Sequence, residues 1–465
     1  MSAPILWIAL PFLAGGAILF LLGEKYSSYI AGGLTALLSL IALFIPIDAA
    51  LLLGAFSFKI SPAIEVFGRS FEFSAADGPL LAMIFGLAAI WFFGSESSGA
   101  AHRFTSLGLM IIALLTASIA VEPFLYAALL LEMAAMLVVF MLVPIYQVPG
   151  KGVVRFIVYQ TFAMPFILFS GWMLAGVEAN PGDLGTTVAS GVMLSMGFAF
   201  LFAIFPLYNW IPQVLEESPP YAAGFLLWAL PVFTVIFALG FLDRYAWLRN
   251  TAQISNAVLV SGIIMTATGG IFCALQRHLG RILAYAAIAE TGLFLLALGL
   301  QTSNLLEIVF LALIPRGLEL TVWALALSII KRRAFPLKFS DIQGLARKFP
   351  IATGSLVLAH LSVAGFPLLA GFPSRIALWH ALTPQSMTAS IWVFVGMFGL
   401  QIAAFRTLAA LVMAGDNAKW ELNESWIQTA MLGIGVVGLF MLGMFPQILQ
   451  PFLINLPALF EHLAQ

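Results

Sequence analysis

The sequence predicts an all-α, polytopic membrane protein with about fourteen transmembrane helices, built around an inverted repeat of two five-helix units with broken seventh and twelfth helices. Three observations predict it. Of 465 residues, 62% are hydrophobic and only 9% charged, against about 25% charged in soluble domains. Apolar stretches of near-spanning length recur from end to end. Proline pairs with the same spacing, Pro206/Pro212 and Pro367/Pro373, interrupt two of them.

A span needs about 20 apolar residues, because a helix rises ~1.5 Å per residue through a hydrocarbon core ~30 Å thick. By that measure the spans fall near 4–23, 29–54, 78–95, 104–121, 122–145, 153–176, 187–214, 220–242, 254–275, 281–300, 305–330, 350–380, 389–414 and 428–449. The runs are about twice the length of a barrel strand and apolar on all faces, so helices and not strands are expected. No basic segment precedes Ile5–Leu22, which is therefore expected to be a span and not a signal peptide. Residues 55–77 suit a short hairpin or surface loop, and 331–349 a basic connector. The expected divisions are 1–103 (helices one to three), 104–242 (first five-helix repeat), 254–414 (second repeat) and 415–465 (C-terminal helix).

Basic residues orient the bundle. The odd-numbered loops and adjoining span ends carry fourteen of the twenty Lys and Arg, among them Lys25, Arg333 and Lys419; the even loops carry four. The odd loops are therefore expected in the cytoplasm, with both termini extracytoplasmic. Two features repeat five helices apart, and hence in opposite orientation: the proline-broken spans, and Glu132 in the fifth span against Glu290 in the tenth. This is the signature of an inverted-topology repeat.

Several function classes fall away. A net charge of −1 implies no nucleic-acid partner. One cysteine, Cys273, permits no disulfide within the chain and no Cys/His metal or iron–sulfur spacing. No glycine-rich nucleotide fingerprint is present. No cofactor is expected, and redox chemistry would belong to a partner subunit.

Charges inside the spans carry the functional signal, since each costs about 2.5–3.5 kcal/mol to insert. The proton-translocation candidates are Glu132, Glu290, Arg316, Glu319 and Arg375. Arg316 and Glu319 stand three residues apart on one helical face and are expected to pair. Interruptions near Pro206, Pro315 and Gly365–Pro373 would free carbonyls for water. Glu132 and Glu290 suit proton handling; Arg316 and Arg375 suit fixed charges, because arginine does not deprotonate in proteins. A static ion pair between helices is the plain alternative. His360 is expected to be a satisfied polar residue and not a relay, His380 lies at a span end, and His278 is expected on the cytoplasmic surface.

Three segments in combination resemble a known family. They are Phe205-Pro206-Leu207-Tyr208-Asn209-Trp210-Ile211-Pro212 with Glu217-Ser218-Pro219; Gly269-Gly270 with Ala274-Leu275-Gln276 and Arg281-Ile282-Leu283-Ala284-Tyr285; and Gly344-Leu345-Ala346 with Gly365-Phe366-Pro367 and Ala370-Gly371-Phe372. Together they resemble the antiporter-like membrane subunits of respiratory complex I (NADH:quinone oxidoreductase), which are similar to Mrp-type antiporter and membrane-bound hydrogenase subunits. The resemblance implies fourteen helices, an inverted repeat and a role in proton or cation translocation beside other membrane subunits. It also implies that Glu132 is the family's fifth-helix glutamate. Departures are equally clear: the seventh-helix lysine falls on Leu201, the eighth-helix lysine near Trp228, the motif histidine on Tyr208, and the eleventh-helix lysine and its histidine on Glu319 and Pro315. The ionisable residue of the twelfth helix is Arg375. With the chain ending soon after the fourteenth span, no long lateral helix is expected.

The leading expectation is a non-catalytic membrane-arm subunit of a complex-I-like, redox-driven translocating assembly. The alternatives are a degenerate, non-conducting scaffold subunit and a subunit of a cation/proton antiporter.

Overall fold

The computed structural model describes the chain apart from residues 1, 22, 54–55, 145, 180–183, 301, 303, 333–335, 414–419, 456–457 and 464–465. Arg333 and Lys419, two of the charges that orient the bundle, lie outside the described residues, as does the side chain of Lys25.

Among the described residues, eleven helices are long and apolar enough to cross a membrane, and three shorter apolar helices, Ile5–Leu21, Gly185–Leu201 and Pro350–Val363, occupy the remaining expected positions. Each of the fourteen expected spans thus has its helix. The tenth span, Leu279–Gly299, and the eleventh, Leu305–Lys331, are buried along almost their whole length. The fourteenth, Trp426–Met444, buries only Leu432, Gly435 and Leu439. Its start is set by a capping box in which Ser425 and Gln428 satisfy each other's backbone N–H groups.

Helices whose apolar faces meet lipid gain little from hydrophobic burial, so they associate by close packing. The ninth and thirteenth spans, Ala252–Leu275 and Met387–Val412, show how. A Cβ at Gly270 would overlap the Gly396 carbonyl, and one at Gly399 would lie 2.5 Å from the Gly270 carbonyl oxygen. The helices touch backbone to backbone.

The seventh and twelfth spans are broken as expected, and in the same way. Leu184–Leu201 stops and Trp210–Glu217 resumes; Pro350–Val363 stops and Phe372–Leu382 resumes. Both first halves end in a left-handed residue, Ala203 at φ 51° and Gly365 at φ 69°. At the first break Ile204 N donates to Ala199 O at 2.9 Å and Ala203 N to Phe200 O at 3.1 Å. At the second, Phe366 N donates to Leu361 O and Gly365 N to Ser362 O, both at 2.9 Å. This paired 6→1 and 5→2 pattern is the Schellman ending, which satisfies carbonyls that a stopped helix would leave bare.

Two expectations about helix limits are corrected. The second span ends at Phe44, not near 54, because Pro46 and left-handed Asp48 turn the chain. Two antiparallel hairpins follow, Ala50–Leu53 with Phe56–Lys59 and Ala63–Val66 with Arg69–Glu72, and the second takes Val121–Glu122 as a third strand. Pro315 does not interrupt the eleventh span, which runs unbroken through it. Proline removes one N–H from the ladder, and neighbouring helices hold the rest of a span in place.

Ala3 and His462, near the two ends of the chain, lie at the hairpin face of the bundle. Ala3 N donates to Ser61 O at 2.8 Å, and the Asp243 carboxylate, at the end of the eighth span, accepts from His462 N at 2.9 Å. Beside it Arg244 pairs with Glu122.

Candidate proton-handling site

The tenth, eleventh and twelfth spans bring four buried charges together. Glu290 comes from the middle of the tenth span, Arg316 and Glu319 from the eleventh, and Arg375 from the first turn of the helix that restarts the twelfth. The Glu290 carboxylate is held at both oxygens. Arg316 Nη1 donates to Oε2 at 3.1 Å, and Arg375 Nη2 to Oε1 at 2.8 Å. Arg316 and Glu290 are 0% and 1% exposed. Arg316 Nη2 also donates to the Leu227 carbonyl at 2.7 Å and to Thr291 Oγ1 at 3.2 Å, tying the eighth span to the tenth.

The expected Arg316–Glu319 ion pair is not formed. Three residues along a helix put two side chains on neighbouring faces, but Arg316 reaches the tenth span while Glu319 turns toward the break in the twelfth. Glu319 Oε1 accepts from Ser362 Oγ at 2.6 Å, and its Oε2, 3.9 Å from Arg375 Nη2, has no hydrogen-bond partner. Arg375 is therefore shared between two carboxylates, bonded to one and within Coulombic reach of the other.

The break in the twelfth span makes this geometry possible. Ser362 is on its last turn before the break, and its hydroxyl also accepts from Gly371 N at 3.2 Å. A Cβ at Gly371 would overlap the Ser362 carbonyl and sit 2.8 Å from Glu319 Oε1. Only glycine lets the restarting helix come this close to the carboxylate. Arg375 then steadies itself on Ser374 Oγ at 2.9 Å and on the Val363 carbonyl at 3.2 Å. With all four groups ionised the cluster is neutral, and each charge has an opposite one at hand. That is the condition for keeping charges out of water.

Small cavities adjoin the cluster on two sides. One of about 20 Å³ touches Thr291 and Leu227 and reaches Leu201, Phe202 and Ala203 at the break in the seventh span. By volume it holds one water, which needs roughly 10–15 Å³ on this measure. The other, about 10 Å³, runs from Arg375 and Ser374 along Leu293, Ala297 and Ile308, toward the face where the tenth span ends and the eleventh begins.

The first half looks different. Glu132 is 6% exposed. Its Oε1 accepts from Thr161 Oγ1 at 2.7 Å, while its Oε2 has no hydrogen-bond partner. No ion pair to Glu132 is present among the described residues. Trp228, where the family resemblance placed a lysine, is fully buried and stacks on Trp91, with ring centroids 6.1 Å apart. Phe225, Phe92, Phe104 and Tyr221 extend the aromatic cluster. Leu201 is 9% exposed at the end of the first half-helix of the seventh span.

Of the histidines, His380 is exposed, and His278 is not the surface residue expected. It is 8% exposed, covered by the connector, where Phe339 N donates to Arg277 O and Leu279 N to Leu337 O, both at 2.9 Å. Burial pushes its imidazole below its ordinary pKa; nearby Glu216 opposes the shift, while Arg281, Lys331 and Lys338 add to it. His360 was expected to be a satisfied residue. It is fully buried, yet its Nδ1 has no hydrogen-bond partner. Sequence reasoning missed Ser362 and Gly371 as functional positions; their signal was the glycine-rich break itself.

Residues 176–402 match the family described as "NADH:quinone oxidoreductase/Mrp antiporter, TM". The NADH-quinone oxidoreductase subunit N of Rhodococcus opacus (strain B4) is 27% identical over 323 residues, 64% of this chain and 58% of that protein. The chain thus spans somewhat over half the length of that relative. Two solved structures share the fold. A chain of the membrane-bound sulfane sulfur reductase, an archaeal respiratory membrane complex, superposes with a TM-score of 0.86 at 15% identity, covering 100% of this chain and 99% of that one. A chain of respiratory complex I from Thermus thermophilus with bound NADH superposes with a TM-score of 0.81 at 18% identity, covering 99% and 100%.

Proposed function

We propose that this chain, whose residues 176–402 match the NADH:quinone oxidoreductase/Mrp antiporter membrane domain, is a membrane-arm subunit of a complex-I-like, redox-driven translocating assembly and carries protons through its second half. The observation that carries the reading is Arg375 placed between Glu290 at 2.8 Å and Glu319 at 3.9 Å.

Arginine holds its proton, so the mobile proton must ride on a carboxylate. Glu290 is bound twice by arginine. Glu319 keeps an open oxygen. A proton arriving at Glu319 Oε2 removes the second claim on Arg375, whose side chain then belongs wholly to Glu290. Loss of that proton restores the competition. The partner subunits drive the cycle by biasing one arrangement over the other, which is how a bistable element is switched. Arg316, anchored to Glu290, Thr291 and the Leu227 carbonyl, is the fixed charge that keeps Glu290 in place.

The first repeat, 104–242, serves as scaffold, and the second, 254–414, as the conducting unit. Trp228 stacked on Trp91 and Leu201 at the helix end support this division. The excess of basic residues in the odd loops supports a cytoplasmic location for those loops and an extracytoplasmic one for both termini.

The test is proton uptake into vesicles holding the intact complex, with electron transfer monitored in parallel. Glu319→Gln and Glu290→Gln should each reduce uptake at least tenfold, while Glu132→Gln should change it less than twofold. If Glu132→Gln stops uptake and the other two do not, the second-half route is wrong. If none of the three matters, the subunit is a non-conducting scaffold.

A further inference from the structure

Four buried polar atoms near the break in the twelfth span have no hydrogen-bond partner among the described residues: Glu319 Oε2, His360 Nδ1, Trp323 Nε1 and Arg375 Nε; of these, the carboxylate oxygen and the imidazole nitrogen can exchange a proton. Unpaired polar groups this deep are uncommon in folded proteins, and each calls for a reason. The two belong to the same neighbourhood. His360 stacks its ring on Trp323, with centroids 4.3 Å apart and the planes 28° from parallel. Trp323 is four residues beyond Glu319 on the eleventh span, one turn along the same face. From the other side, Ser362, two residues beyond His360, donates to Glu319.

The imidazole is otherwise loosely held. Among the described residues, its Nε2 has the Cys273 sulfur at 3.9 Å as its polar neighbour, and that thiol is directed to the Ile282 carbonyl at 3.4 Å. No carboxylate pairs with His360 among the described residues. A histidine held only by an aromatic face and a soft sulfur can turn its ring without breaking a strong bond.

Its place along the bundle also matters. His360 lies on the Pro350 side of the break, one turn from Glu319 toward the end of the bundle where the basic connector lies. Arg375 and its cavity lie on the other side of Glu319. His360 is thus a titratable side chain on the connector side of Glu319.

We infer that His360 is the proton relay that loads Glu319. The relay rests on the second-half reading above. In the transfer, the N–H bond of the imidazolium breaks and an O–H bond forms on the Glu319 carboxylate. The histidine returns to neutral and the carboxylate loses its charge. The ring recovers its proton from the connector side before the next transfer. Glu319 in turn releases its proton past Arg375.

The experiment uses the assembled complex in vesicles, comparing wild type, His360→Gln, His360→Asn and Glu319→Gln for proton uptake from pH 5.5 to 9, with complex content and electron transfer measured alongside. His360→Gln should retain complex content and lower uptake at least tenfold at pH 7. What remains should lose the dependence on pH shown by wild type. Uptake by His360→Gln within twofold of wild type, while Glu319→Gln abolishes it, would remove the relay and leave the second-half route intact. Normal uptake in both would remove the relay and the route together. If His360→Gln fails to assemble, His360→Asn gives the same reading. If neither assembles but His360→Phe does, with normal uptake, the residue is a packing element and the inference is wrong.

Discussion

Arg375 and Glu290, 85 residues apart in sequence, meet at 2.8 Å in the interior of the bundle. Their contact closes the break in the twelfth span against the tenth. It brings a second positive charge to a carboxylate that Arg316 already holds at 3.1 Å.

The Arg316–Glu290 pair should therefore show strong coupling. Removing one member of a buried pair strands the other and costs about 3–5 kcal/mol. Arg316→Gln and Glu290→Gln should each lower the thermal stability of the detergent-solubilised assembly. The double variant should lose less than the two losses combined. The Arg316/Glu319 cycle should show a smaller coupling. Equal couplings in the two cycles would contradict the pairing observed.

Glycine contacts offer a sharper test of the break. Gly371→Ala places a methyl group against the Ser362 carbonyl and Glu319 Oε1. It should both destabilise the protein and lower proton uptake severalfold. Gly354→Ala, in the same span, meets nothing within 4 Å. Alanine is favoured over glycine in a helix by about 1 kcal/mol, so that variant should match or exceed wild-type stability. Similar behaviour of the two variants would mean that the close approach at Gly371 is unimportant.

Trp228→Ala should be among the most damaging changes in the first half. The ring is fully buried and stacks on Trp91. Truncating a buried Trp costs about 3–5 kcal/mol when its surroundings cannot collapse. Electron transfer per assembled complex should be unchanged, because the ring is a filler and not a carrier. Loss of stability below about 1 kcal/mol in thermal melts would show the cluster to be loosely packed.

Topology can be checked with two exposed positions. Phe67 stands at the tip of the second hairpin, in an even loop, and Tyr146 in an odd one; both are fully exposed. In a background where buried Cys273 is the sole native thiol, Phe67→Cys should react with an impermeant maleimide from the extracytoplasmic side. Tyr146→Cys should react only from the cytoplasm. The reverse pattern would invert the orientation given to the termini.

Much of this architecture is legible in the sequence. Apolar length located the spans, and Pro206/Pro212 with Pro367/Pro373 located the breaks, because proline and backbone geometry act locally. Glu290, Arg316, Glu319 and Arg375 stood out since any charge inside a span is costly. What escaped was which of them would meet. Helical spacing favoured Arg316 with Glu319, yet the partner was decided by how the tenth span and the restarted twelfth pack around them. The same limit applied to His278, covered by a connector distant in sequence. It applied also to residues 50–53, whose apolar run was indistinguishable from a continuing span until Pro46 and Asp48 turned the chain.

The matched endings at Ala203 and Gly365 carry a consequence for engineering. The two broken spans share one helix ending, and among the described residues the cluster of four buried charges sits at only one of them. Alanine holds the left-handed turn in the first of them although that geometry costs a non-glycine residue about 1–2 kcal/mol. On the reading proposed above, a second conducting lane could start from the existing backbone. The position to change is Leu201, at the end of the first half-helix, with Glu132 already buried in the same half.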